Sequence, residues 1–180
     1  MYESLKEWIN GWRHGRGFGV HSPWAYEVVT TVLRCDCGYY AYGEIDKLFG
    51  ERRALAATVY RLLVHEQPER IIVIGDSRWD RLAHMVNPMG PGVKKRPVTA
   101  VSVDDASKVS ADDLIKLTEA KNDASEKGII ILTDLTTENG KRLWKNLRGQ
   151  SNGYSITIVG KMAVLNRRAD LPTQHLRTFI

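Results

Sequence analysis

The sequence predicts an α/β protein: a mostly parallel sheet of about five strands with a C-terminal antiparallel hairpin, preceded by N-terminal helices. Three observations lead there. Residues 1–67 place apolar side chains at three- and four-residue spacing, as helices do. From residue 68 short apolar runs alternate with helical stretches, which implies parallel strands joined by crossovers. The last two runs, 154–159 and 162–166, are joined only by Gly160-Lys161, a link suited to a tight hairpin.

Each element has a local reason. Leu5, Trp8, Ile9 and Trp12 line one face of a first helix, which Gly11 and the glycines between 15 and 19 bring to an end. Ser22 caps a second helix and Pro23 supplies its preset first dihedral. That helix presents Tyr26, Val29, Thr30 and Leu33 inward and stops near residues 35–38. A third helix runs over 45–65 with Leu48, Leu55, Val59, Leu62 and Leu63 buried, and Pro68 closes it. Strands follow at 70–74, 98–103, 129–133, 154–159 and 162–166. The runs IIVI and GIIIL are continuously apolar, as in strands covered on both faces. Helices lie after the first strand, at 111–124 with Leu114, Ile115 and Leu117 inward, and at 138–147 with Leu143, Trp144 and Leu147 inward. The proline- and glycine-rich residues 87–97 form a surface loop. The 180 residues make one domain, with a helical region over 1–67 and a sheet region over 68–180.

Composition narrows the function classes. The 43% apolar and 26% charged fractions are those of a soluble globular chain. The net charge of +5 is dispersed and forms no block, which argues against a nucleic-acid partner. No apolar run nears the roughly 18 residues needed to span a bilayer, and the N-terminus lacks the apolar core of a signal peptide. Cys35 and Cys37 are too close for an easy structural disulfide, and no further ligands suggest a metal site. A cytoplasmic protein is expected.

The most informative stretch is RIIVIGDSRWD, residues 70–80. An apolar strand ends at Gly75, where a cofactor loop would need further glycines so that backbone amides can approach a ligand. Here Asp76, Ser77, Arg78 and Trp79 follow. Asp76 and Ser77 stand where a strand meets a helix N-terminus, a natural anion site. An aspartate there caps the helix itself and repels phosphate.

GRGFGVHSPWAYEVVTTVLR followed by YYAYGEI, and the C-terminal ILTDL…LW…SITIVGKMAVLNRR…QHLRTFI, resemble a Bacteroidetes methyltransferase-like group. The parallel sheet ending in a hairpin is similar to the class I S-adenosylmethionine-dependent methyltransferase fold. The resemblance implies a reduced Rossmann-like sheet and S-adenosylmethionine as the cofactor, if there is one. It implies Gly75, Asp76 and Ser77 near the cofactor loop and Asp104 on its ribose, with Asp105 as fallback. The chain departs from the family pattern in three places. Val73 stands where the first strand carries an acid, Leu135 stands beside Asp134 where a second acid is usual, and only about two dozen residues separate Asp104 from the next strand. The last departure implies that a third and fourth strand cannot both be present.

No residue is singled out as catalytic. His21, His84 and Asp134 are the candidates for a general base, if methyl transfer survives. Trp79 is expected to pack over the emptied pocket. Trp8, Trp12, Trp24, Tyr39, Tyr40 and Tyr42 concentrate in the N-terminal third, as packing or as a surface for a protein partner or self-association. The expected function is a methyltransferase-like protein that has lost catalysis and acts through protein contacts. The alternative is an active enzyme with a shortened cofactor pocket.

Overall fold

The computed structural model describes residues 5–35, 37–86, 96–118, 128–150, 153–158, 160–167 and 173–178; the side chains of residues 5–8, 96 and 97 lie outside the description. Four helices come first: α1 Leu5–His14, α2 Pro23–Glu27, α3 Tyr42–Phe49 and α4 Arg53–Glu66. The sheet region then runs β1 Pro68–Ile74, α5 Ser77–Val86, β2 Arg96–Val103, α6 Ala111–Leu117, β3 Ile129–Leu132, α7 Glu138–Gln150, β4 Tyr154–Ile158, β5 Met162–Asn166 and β6 Gln174–Thr178. The sheet is six-stranded with order β1-β2-β3-β5-β4-β6. β5 alone runs against the others, pairing antiparallel with β3 and β4, while β6 adds parallel to β4. No described helix is long and apolar enough to cross a membrane.

The α/β class and the hairpin agree with expectation; four details correct it. The described residues form six strands rather than five, because QHLRT alternates too weakly in apolar character to announce β6. The third helix is two helices, separated by a 3₁₀ turn over Gly50–Arg52 in which Gly50 takes φ +50°. Gln67, in the left-handed conformation at φ +48°, ends α4, and Pro68 begins β1. Finally, Ile71 to Ile74 are only half-buried. β1 is the edge of the sheet, so its side chains stay half-exposed although Ile71 and Val73 pack on one face and Ile72 and Ile74 on the other. The expected helix over 111–124 is described only as far as Thr118.

The Ser22 cap forms as expected, its hydroxyl accepting the Ala25 amide at 3.3 Å. Beyond it α2 loosens into a π-helical turn over Val28–Val32, with the Leu33 amide donating to the Val28 carbonyl. The wider turn rotates the buried face. Val28, Val29, Val32 and Leu33 point inward, while Tyr26 is exposed and Thr30 half-buried. Trp24 ties the layers together, its indole donating to the buried Glu66 carboxylate at 2.7 Å and its ring meeting Tyr154 edge-on.

Helices cover both faces of the sheet. On one, α2 with its π-helical turn, α4 and α5 supply Trp24, Val28, Leu62, Trp79 and Leu82, which pack against Ala100, Ile129, Ile131, Ile156 and Val164. On the other, α6 and α7 supply Leu114, Leu143, Trp144 and Leu147, against Val101, Val103, Ile130, Leu132 and Leu165. This division has a topological consequence. β1 to β2 and β2 to β3 step the same way across the sheet, yet their helices α5 and α6 lie on opposite faces. The two connections therefore have opposite hands. α7 leads onward in the same direction and shares the face of α6, hence its hand. Parallel crossovers are right-handed in about 98% of cases, so the connection through α5 is assigned the reversed hand.

Candidate functional site

In open α/β sheets ligands sit at the carboxyl ends of strands, in the crevice where neighbouring connections depart to opposite faces. That point lies here between β1 and β2, since α5 leaves to one face and α6 to the other. The crevice is closed by the protein itself. The Asp104 amide continues the ladder by donating to the Ile74 carbonyl at 2.9 Å. A Cβ on Gly75, whose φ is +140°, would stand 2.8 Å from the Asp104 Cβ and 3.2 Å from the Asp105 nitrogen. Gly75 is thus required by the neighbouring loop of its own chain.

The acidic residues around this edge are engaged internally. Asp76 accepts the Arg78 amide at 2.9 Å and two guanidinium donors at 2.8 and 2.6 Å, which hold its pKa down at about 2. This is the helix-capping role expected of it, and Ser77 is exposed beside it at the first position of α5. Asp104 takes the Arg52 guanidinium at 2.5 Å and the Thr133 hydroxyl at 3.0 Å. Asp105 caps the 3₁₀ turn over Ala106–Lys108 by accepting from the Ser107 amide and hydroxyl, which lowers its pKa. Burial works against ionisation of Asp134, but the hydroxyl and amide donors of Thr136 and the amide of Thr137 outweigh it and its pKa falls.

Trp79 is 1% exposed. It packs on Phe49 with ring centroids 4.7 Å apart, and the Arg52 guanidinium carbon lies 5.6 Å from its ring centre. The break at Gly50 places Arg52 where it can both cover this indole and reach Asp104. The α5 end of the crevice is therefore filled with protein.

An opening remains beside it. A cleft of about 490 Å³ lies over the ends of β2 and β3, bounded by Arg52, Leu55, Asp104, Asp134, Gly160 and Lys161. Of the residues expected at a site, Asp104 and Asp134 border this cleft, while Gly75, Asp76 and Ser77 do not. His21 and His84 are exposed and stand outside it. Among the described residues no three His, Cys, Asp or Glu side chains group as metal ligands. Arg52, Thr133 and Lys161 were not legible as site residues. The only signal for Arg52 was Gly50, whose helix-breaking role the long apolar periodicity hid.

No family model, no curated protein and no solved structure matches the chain.

Proposed function

We propose that the chain is a methyltransferase-like protein of reduced Rossmann-like architecture that has lost catalysis and acts through protein contacts. The observation that carries this reading is the closed crevice between β1 and β2, where Gly75 meets Asp104 and Arg52 spans Asp104 and Trp79. The donor set argues against S-adenosylmethionine. The Asp104 oxygen that would accept ribose hydroxyls already accepts Arg52 and Thr133. The position after Gly75 carries a carboxylate paired with its own helix.

The reversed α5 connection supports the same reading. In a doubly wound sheet of order 3-2-1-4-5-6, strands 2 and 3 lie on the far side of strand 1 from strands 4 and 5. Removing that pair leaves strand 1 at the edge and joins it directly to strand 4, with one helix on each face. The observed β1-β2-β3 order has this form. The shortening then falls between β1 and β2 instead of after Asp104.

The contact surface is assigned to the N-terminal third, where Trp12, Phe18, Tyr26 and Tyr40 are exposed while Trp24 is built into the core. A cytoplasmic setting completes the reading, in line with the two closely spaced cysteines. The second reading, an active enzyme with a shortened pocket, draws on the cleft bordered by Asp104 and Asp134. Calorimetric titration with S-adenosylmethionine and its demethylated product decides between them. The expected result is no saturable heat; micromolar binding abolished by Asp104→Ala would overturn the proposal. Light scattering on Trp12→Ser and Phe18→Ser then tests self-association, which those changes should reduce.

A further inference from the structure

The far edge of the sheet carries an opening of a different kind. α7 covers β3, β5 and β4 on its face but leaves His175 of β6 exposed and Thr157 and Arg177 half-buried. A groove of about 390 Å³ results, walled by Lys141, Trp144 and Arg148 of α7 and floored by Thr157, His175 and Arg177. Lys145 extends the same helical wall into an adjoining recess. Lys141, Lys145 and Arg148 recur at four- and three-residue spacing, so they share one face of the helix. No carboxylate lines either opening among the described residues; Glu138, paired with Lys141 at 2.6 Å, stands outside both.

The floor is built as well as charged. Trp144 fixes α7 to the strand by donating its indole N–H to the Thr157 hydroxyl at 3.1 Å. The fully buried Ser155 hydroxyl meets His175 Nδ1 at 2.5 Å, which orients the ring and leaves Nε2 for a ligand. Burial first, then the charge of Arg148, lowers the His175 pKa, which favours the neutral ring.

We propose that this groove binds a phosphate-bearing ligand, its phosphoryl oxygens held by Arg148, Lys145 and His175 Nε2. A guanidinium fork and an ammonium around one neutral donor suit a dianion with several oxygens better than a single carboxylate. The positive groups facing His175 are Lys141, Lys145 and Arg148 from α7 and Arg177 from its own strand, with Glu138 beyond Lys141. A bound dianion offsets these charges, so the His175 pKa rises on binding and a proton is taken up.

The test uses the full chain with inorganic phosphate and adenosine 5′-monophosphate as probes. Calorimetry follows binding, and proton NMR of the His175 ring follows its titration with and without ligand. Saturable binding with an upward shift of the His175 pKa is expected. Arg148→Glu should weaken binding about tenfold or more, and Arg148→Lys should recover only part of it, because lysine keeps the charge but loses the fork. His175→Gln should keep the fold and abolish the proton uptake. Equal affinity for the two probes identifies free phosphate as the ligand class, and tighter binding of the nucleotide identifies an organic phosphomonoester. Absence of saturable binding, insensitivity to Arg148→Glu, or binding confined to single-stranded oligonucleotide with a steep salt dependence would overturn the proposal.

Discussion

The two ends of the sheet use polar side chains in opposite ways. At the carboxyl ends of β1 and β2, charged groups meet one another: Asp76 with Arg78, and Asp104 with Arg52 and Thr133. At the α7–β6 edge, cations of one sign face a groove without carboxylates. The first arrangement pairs its charges within the site, whereas in the second Lys141 pairs with Glu138 outside the groove. A location inherited from fold geometry is therefore a poor guide to ligand binding when its own side chains complete one another.

Four perturbations would break or sharpen this contrast. If the β1–β2 end is structural, Trp79→Ala removes a side chain that is 1% exposed. It should cost about 3–5 kcal/mol in denaturant unfolding. A small loss would mean that the indole fills a pocket able to open. Gly75→Ala comes next, because its new Cβ meets Asp104 while the backbone stays at positive φ. A loss of about 2–3 kcal/mol is expected, and a neutral result would show the two loops free to separate. The Arg52–Asp104 pair is half-exposed on the arginine side. A double-mutant cycle with Arg52→Ala and Asp104→Ala should give a coupling of about 1 kcal/mol. The smallest effect is confined to acid. Asp76 titrates at about 2 when folded against an ordinary 3.8, so the native state binds fewer protons. Its contribution is complete above the higher value and is lost as pH falls from about 4 to about 2. Asp76→Asn should flatten that part of the stability profile.

Much of this fold was legible because periodicity reports burial. The α7 face of Leu143, Trp144 and Leu147, the Ser22-Pro23 helix start and the Gly160-Lys161 hairpin all follow from local rules. The edge position of β1 was not legible, since IIVI reads alike in a central strand and in an edge strand with apolar cover. Gly75 posed the same difficulty. A glycine at a strand end signals close approach of something, and only the neighbouring loop shows that the something is Asp104. Arg52 lies 52 residues from its partner, a distance no pattern spans. His175 sits in a strand whose alternation is too polar to announce itself.

The exposed side of β1 has a consequence for behaviour at high concentration. An unpaired edge offers a row of backbone donors and acceptors to any extended chain, and natural sheets guard such rows with charge or proline. Pro68, Glu69 and Arg70 guard the first half of the strand, while Ile71, Ile72, Val73 and Ile74 have no such protection. Among the described residues nothing pairs with the outer side of that segment, and it is where strand-to-strand adhesion of crowded copies is expected. A lysine placed in the second half is the substitution that keeps them apart.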